Sequence, residues 1–152
     1  MQTTIRKATA ADMPAVLKLI QELADYEKAP EEVIVTVAQL QQDGFTGDRP
    51  YFYCFVAENE NGVAGIALYY IKYSTWKGRC VFLEDIVVTQ RERRKGIGKI
   101  LFDAVLEEAK QSGAKRMEWQ VLDWNEPAIE FYKLYEPQVL NEWLNYRLVL
   151  NS

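Results

Sequence analysis

The stretch IVVTQRERRKGIGKILF, from Ile86 to Phe102, decides how the chain reads. A β-branched run ends at Val88, a polar and basic segment follows, Gly96 and Gly98 stand one residue apart, and an apolar pattern of helical period begins. This is a strand, a turn and a helix start. The first N–H groups of a helix have no intrahelical acceptor, and the positive end of its dipole lies there, so the turn is a ready anion site. Gly96 and Gly98 lack the Cβ atoms that hold a ligand off the backbone, while Arg91, Arg93, Arg94, Lys95 and Lys99 bring positive charge. A phosphate or pyrophosphate fits this turn, and so does a plain solvated basic loop. A P-loop does not, because Lys99 is followed by Ile100 and no glycine stands at the required offset before it. A dinucleotide fingerprint fails at Leu101, where a third small residue is needed.

The surrounding chain restricts what such a turn can serve. Its 152 residues, 49% of them hydrophobic, suffice for one domain with a real core, and no repeat or low-complexity linker divides them. The expectation is a single domain over residues 1–152. No apolar run approaches the roughly 20 residues of a membrane helix, and the N-terminus MQTTIRKATAADM is too polar for a signal peptide, so a cytoplasmic protein with no membrane partner is expected. Cys54 and Cys80 lie in apolar, strand-like surroundings without CxxC spacing and read as buried thiols. There is no histidine, which removes Ser/His and Cys/His catalysis, the commonest zinc ligand and the usual neutral-pH base. Acid–base work must fall to Glu, Asp, Tyr, Lys or Cys, and no metal is expected. The formal charge of −4 argues against nucleic-acid binding and mildly favours a cationic small molecule.

Along the chain, TTIRKAT reads as a strand and TAADMPAVLKLIQELADYE as a helix capped by Thr9 and ending near Tyr26. Thr36 and Gln39 form a capping-box pattern for a shorter helix that stops near Gly44. YFYCFVAE and VAGIALYYIKY are strands joined by a tight Asn61-Gly62 turn, and RCVFLEDIVV is a third. A helix from about Gly96 to Gln111, a strand RMEWQVL, a helix from about Asn125 to Leu134 and a final strand near YRLVL complete the order. The fold class is α/β in the α+β sense: a mixed, mostly antiparallel central sheet with flanking helices.

The pattern Arg93-x-x-Gly96-x-Gly98 after a strand resembles the acetyl-CoA signature of the GNAT N-acetyltransferases, and the order of elements matches that superfamily throughout. More narrowly, RKATAADM, LIQELADYE, DGF, YFYCFVAE, ALYYIKYSTW, FLEDIVV and DWNEPAIEFYK resemble the diamine/polyamine (spermidine/spermine) and thialysine acetyltransferase branch, over about residues 4 to 135. The resemblance implies the acyl-CoA N-acyltransferase fold and an enzyme that moves acetyl from acetyl-CoA to a diamine, a polyamine or a lysine-like amino acid. It implies that Arg93, Arg94, Lys95, Gly96, Ile97, Gly98 and Lys99 cradle the coenzyme pyrophosphate, that the backbone of Ile86, Val87 and Val88 pairs with the pantetheine arm, and that the protein is a homodimer. A GNAT-fold module that binds the coenzyme without catalysis, as a sensor or scaffold, is the alternative.

Acetyl transfer to an amine poses two proton problems. The amine arrives protonated, with a pKa of about 10.4, and the departing thiolate, with a thiol pKa of roughly 8.5, benefits from receiving a proton. Glu84 interrupts an apolar strand, where alternation can place it and Asp85 on opposite faces; it can also mark a bulge or pair with an arginine. The resemblance makes Glu84 the residue that deprotonates the amine. It makes Tyr132 the general acid, where the helical pattern alone reads as an aromatic packed on a helix face, and it makes Asn125 both a helix cap and a coenzyme contact. Tyr26, Glu27, Trp76 and Asp85 are the expected acceptor-binding residues, an acid-and-aromatic set suited to a cationic amine. Two departures stand out. Ser74 occupies a position where polyamine-specific members tend to carry an acid, which weakens the match to spermidine and spermine. Glu136 stands where the superfamily usually has glycine; a left-handed conformation there costs a non-glycine about 1 kcal/mol, so a different local turn is expected.

Overall fold

The computed structural model describes residues 2–150. The chain forms two compact units, residues 1–120 and 121–152. In the first, strands β1 (Thr4–Lys7), β2 (Tyr53–Asn59), β3 (Gly62–Ser74), β4 (Gly78–Val88) and β5 (Met117–Trp119) make one sheet in the order β1-β2-β3-β4-β5. The first four are antiparallel neighbours, and β5 runs parallel to β4. Helices α1 (Met13–Tyr26) and α2 (Val37–Phe45) precede β2, and α3 (Ile97–Gln111) connects β4 to β5.

The two faces of the sheet follow from the period of two. Cys54, Leu68 and Asp85 are opposed across β2, β3 and β4, as are Val56, Ile66 and Val87. Both rows except Asp85 join Met13, Val16 and Leu19 of α1 and Leu40 of α2 in one buried cluster, which identifies the α1/α2 face. The other face meets α3, whose Ile97, Leu101, Phe102, Val105 and Ala109 are buried at the helical repeat. Phe102 packs edge-on to Trp119 of β5 at 5.1 Å. Cys54 and Cys80 are buried free thiols, and burial, followed by the charges of Asp12 and Asp85, pushes the Cys54 thiol up to about 12.

Local signals hold with adjustments. Thr36 caps α2, its hydroxyl accepting from the Gln39 N–H at 3.1 Å. Thr9 instead heads a short 3-10 turn, Ala10–Asp12, its N–H donating to Asp12 at 2.7 Å, and α1 starts only at Met13. In the β2–β3 hairpin the two-residue turn is Glu60-Asn61; of Asn61 and Gly62 only the glycine has positive φ, as the first residue of β3.

In the second unit the expected final strand is not formed: Tyr146 to Leu150 have no regular structure, and Tyr146, Leu148, Val149 and Leu150 are exposed. Strand propensity alone does not make a strand: a run that enters no ladder has no inter-strand hydrogen bonds, and among the described residues this one enters none. The preceding strand is likewise cut from Arg116–Leu122 to Met117–Trp119. Helix α4 (Glu126–Tyr132) continues as a 3-10 turn, Lys133–Tyr135, that ends on Glu136 at φ 51°, ψ 51°. The turn therefore keeps the left-handed geometry, contrary to the expectation that Glu136 forces another. Its N–H still reaches the Lys133 carbonyl at 3.1 Å, so the capping bond persists in spite of the strained residue. Glu136→Gly is expected to raise stability by about 0.5–1 kcal/mol, the relieved strain less the added freedom of the unfolded chain, read as a higher urea midpoint at unchanged slope.

Candidate active site

Strand β4 ends at Val88, and the Thr89 N–H bonds to the Ala64 carbonyl at 2.8 Å, holding the exit of the strand beside β3. A 3-10 turn, Gln90–Glu92, then leads to Arg93 in extended backbone, Arg94 at φ 67°, and Gly96 at φ 79°, ψ 9°, from which α3 begins. Two left-handed residues in three reverse the chain sharply. A glycine at 96 takes this conformation freely, whereas Arg94 bears a strain of about 1–2 kcal/mol that neighbouring contacts must hold. The Ile100 N–H bonds to the Gly96 carbonyl at 3.2 Å, so the amides before it lie ahead of the helical ladder.

The cations of the turn divide into two groups. Arg93, though exposed, is tied to its neighbours: its Nε donates to the Val88 carbonyl at 2.9 Å, its guanidinium lies 3.7 Å from Glu22 of α1, and it sits 5.9 Å above the Tyr26 ring. Glu22 also accepts from the Thr89 hydroxyl at 3.0 Å and from the Gln90 N–H at 2.9 Å. Lys95 binds Glu92 at 3.0 Å, and Lys99 pairs with Asp103 along α3 at 2.9 Å. Arg94 makes no ion pair among the described residues and is exposed. Arg93 thus braces the loop, and what the turn leaves open is mainly backbone N–H. A Cβ built at Gly98 meets only Val88 Cγ2, at an ordinary 3.8 Å. The fold does not require glycine there, and the space above that amide is open to a ligand. Ile97 turns its side chain into the core and contributes backbone alone.

Strand β5 pairs only with Val81, Phe82 and Leu83. From Glu84 to Val88 no strand among the described residues borders β4 on the side away from β3, so an extended ligand can hydrogen-bond to that edge as another strand would. Gly98, the turn amides and the Ile86–Val88 edge are contiguous in sequence and together leave a run of backbone groups open to a ligand.

Beside that edge lies a β-bulge. In the pairing of β3 with β4, Leu68 opposes Asp85 and Tyr69 opposes Leu83, leaving Glu84 as the extra residue. The slip cancels the expected alternation. Asp85 falls on the α1/α2 face opposite Leu68, and the Glu84 carboxylate lies near Tyr70 of that same face, whose phenol is raised by burial and then by the Glu84 charge. Glu27, which ends α1 with its N–H on the Leu23 carbonyl at 2.9 Å, completes a trio of carboxylates. Burial pushes the Asp85 carboxyl up to about 7, reinforced by the charges of Glu84 and Glu27, and burial also raises Glu27. None of the three makes a salt bridge among the described residues. Tyr70 and Phe82 stack at 5.3 Å on this face; their burial-side role was hidden from the sequence because it depends on the register of β3 against β4. Tyr26, the last residue of α1, lies under Arg93.

Raised carboxyls carry a stability signature. With a folded pKa near 7 against an ordinary value of 3.8, Asp85 binds more protons folded than unfolded between those limits, so its contribution falls as pH rises from about 4 to 7 and stays unfavourable above. Asp85→Asn is therefore expected to stabilise the protein by about 1–2 kcal/mol at pH 8 and by almost nothing at pH 4, as compared by thermal melts at both pH values.

Trp76 stands apart from this group. It lies at the tip of the β3–β4 hairpin, where the Ser74 hydroxyl accepts from the Trp76 and Lys77 N–H groups at 3.1 Å each, and it is exposed. Tyr69 to Ser74 spans roughly 17 Å of strand, so Trp76 of the same chain does not reach the carboxylates. In the second unit, the Asn125 side chain accepts from the Ala128 N–H at 3.4 Å and caps α4, while Tyr132 is buried near the end of that helix with Phe131 at 5.3 Å.

The described residues include no helix long and apolar enough to cross a membrane. Residues 14–135 match the model of the acetyltransferase (GNAT) family. The chain is 40% identical to the thialysine N-epsilon-acetyltransferase of Mus musculus over 156 aligned positions, covering 95% of this chain and 91% of the mouse protein. It is 37% identical to the spermidine/spermine N(1)-acetyltransferase-like protein 1 of Homo sapiens, over 84% of this chain but 19% of that longer protein. Its fold matches the crystal structure of an aminoglycoside acetyltransferase from an uncultured soil metagenomic sample with a TM-score of 0.79 at 22% identity, covering 98% and 97% of the two chains. With the glycine turn, the open β4 edge and these relatives together, the chain belongs to the GNAT family and is an N-acetyltransferase.

Proposed function

We propose that the protein, acting as one domain over residues 1–152, transfers acetyl from acetyl-CoA to a small primary amine: a diamine, a polyamine or a lysine-like amino acid. The observation that carries this reading is the convergence of Glu27, Glu84 and Asp85, without a cationic partner, beside the open edge of β4 that runs to the Gly96–Gly98 turn. Such a group favours a ligand that brings its own positive charge, and the stacked Tyr70 and Phe82 rings beside it supply apolar surface for the ligand's methylenes. The names of the relatives agree, since thialysine and spermidine are amines of this kind.

In the proposed reaction, Glu84 accepts a proton from the bound ammonium, and the freed nitrogen lone pair forms the bond to the acetyl carbon as the carbon–sulfur bond breaks. By resemblance, Tyr132 gives its hydroxyl proton to the departing thiolate, and the second proton that the new amide nitrogen must shed leaves through water, which returns Tyr132 to its hydroxyl form. The backbone at Ile86–Val88 and at Arg94–Gly98 holds the donor, while Lys99 and Asn125 are assigned to the donor, and Trp76 to the acceptor, by resemblance alone. Glu84→Gln removes the proton acceptor, so it is expected to lower the rate most near neutral pH and to recover as free amine becomes abundant. A pH profile parallel to wild type assigns Glu84 to positioning only. Turnover of acetyl-CoA measured across putrescine, spermidine, lysine analogues and aminoglycosides tests the whole reading; no turnover with any amine sinks it in favour of a coenzyme-binding module.

The buried free thiols Cys54 and Cys80 suit a reducing, cytoplasmic location, which we propose as well. A homodimer is supported by the exposed apolar residues of the second unit, among them Trp143, Leu144, Leu148 and Leu150.

A further inference from the structure

Glu92 is the one charged residue among the described residues that is buried, at 2% exposed, and it belongs to neither the acceptor group nor the backbone cradle. Its carboxylate accepts from three donors: Asn59 Nδ2 at 3.0 Å, Asn61 Nδ2 at 3.2 Å and Lys95 Nζ at 3.0 Å. Arg91 adds a longer contact at 3.6 Å. Because a carboxylate only accepts, both asparagine amides must present their nitrogens to it, which fixes their orientation. The Lys95 hydrogen bond, then that of Asn61, holds this carboxyl below its ordinary range, so the residue is an anion at neutral pH.

The partners matter more than the burial. Asn59 and Asn61 belong to the β2–β3 hairpin, whereas Lys95 lies between the left-handed Arg94 and Gly96, in the segment whose amides form the anion cradle. Arg91 reaches the same hairpin through the Asn61 carbonyl at 3.4 Å. The opposite end of the loop is gripped by Glu22 through Thr89, Gln90 and Arg93. A non-glycine residue stays left-handed only where its surroundings over-determine it, and Glu92 is the group that ties the strained segment to a rigid neighbour. It also occupies the Lys95 ammonium, which leaves backbone N–H groups as the principal donors to an incoming anion.

We propose that Glu92 is a positioning residue for coenzyme binding: by bonding Asn59 and Asn61 of the hairpin and Lys95 of the turn, it holds the turn amides in the arrangement that receives the coenzyme diphosphate. The inference rests on the assignment of the coenzyme to the glycine turn. It concerns binding rather than chemistry, since Glu92 touches no reacting atom.

The test is isothermal titration of coenzyme A and steady-state kinetics on Glu92→Gln. Glutamine has the same shape but turns an N–H₂ toward at least one of three donors. Its Kd for coenzyme A and its KM for acetyl-CoA are expected to rise about tenfold, with kcat at saturating acetyl-CoA within about twofold of wild type. The double variant Glu92→Gln/Asn61→Asp restores a carboxylate to the cluster with donor and acceptor exchanged, and it is expected to recover most of the affinity. Wild-type affinity in Glu92→Gln overturns the proposal. So does a loss of affinity, kcat and melting temperature together that the double variant leaves uncorrected, because a merely structural staple behaves in that way. Gly98→Val is titrated in parallel. If it too binds like wild type, the coenzyme does not sit at this turn; if it alone is weakened, the turn assignment stands and the role of Glu92 falls.

Discussion

Tyr132→Phe is expected to reduce kcat at least tenfold while leaving folding and acetyl-CoA affinity near wild type. The two side chains have nearly the same ring and packing, and Tyr132 is buried, so the aromatic contacts of α4 survive the change. What disappears is the proton. The phenol, with an ordinary pKa near 10, is protonated at neutral pH and can donate to a thiolate leaving from the broken thioester. General acids contribute typically 10²–10⁴-fold, and water as a substitute donor accounts for the lower bound of about tenfold. The measurement is kcat on the best amine found, with affinity from calorimetry on the same preparation. Full kcat in the variant refutes the acid assignment, which rests on resemblance and on the placement of Tyr132 near the end of a capped helix.

Gly98→Val is expected to weaken acetyl-CoA binding at least tenfold, about 1.4 kcal/mol, with no loss of stability. The argument rests on where glycine is needed. At Gly96 the requirement is conformational, φ 79° with nothing near a built Cβ, so a substitution there strains the turn itself. At Gly98 the backbone is helical and a Cβ has room, and valine is no worse than glycine in a helix. A branched side chain therefore harms only what occupies the space above the amide. Gly98→Ala should lose less, in proportion to its smaller bulk. An unchanged Kd in the valine variant removes the coenzyme from this turn.

Local features of the first unit were legible because their causes are local. The glycine turn, the Thr36 cap, the strands VAGIALYYIKY and RCVFLEDIVV and the end of α1 at Tyr26 each follow from period, capping chemistry or a residue's own dihedral preference. YRLVL failed for the complementary reason. A run of Tyr, Leu and Val states a preference, but a strand exists only where another edge pairs with it, and none does among the described residues. Glu136 failed in the opposite sense: helix-end bonding imposed the left-handed turn on a residue that disfavours it.

Composition alone determined that this chain cannot use histidine, the motif placed a glycine turn at the start of α3, and resemblance named Glu84 and Tyr132 as the groups to test. Only the tertiary structure decided how the carboxylates meet. Whether Glu84 and Asp85 share a face depends on one extra residue in the register of β4 against β3, and no property of the two side chains encodes that slip. The same holds for Arg93 and Glu92. Their charges were visible in the sequence, but a charge serves a ligand or braces a loop according to what lies within about 3 Å of it, and those neighbours, Val88, Asn59 and Asn61, are supplied by strand ends and a hairpin that only the folded sheet brings together.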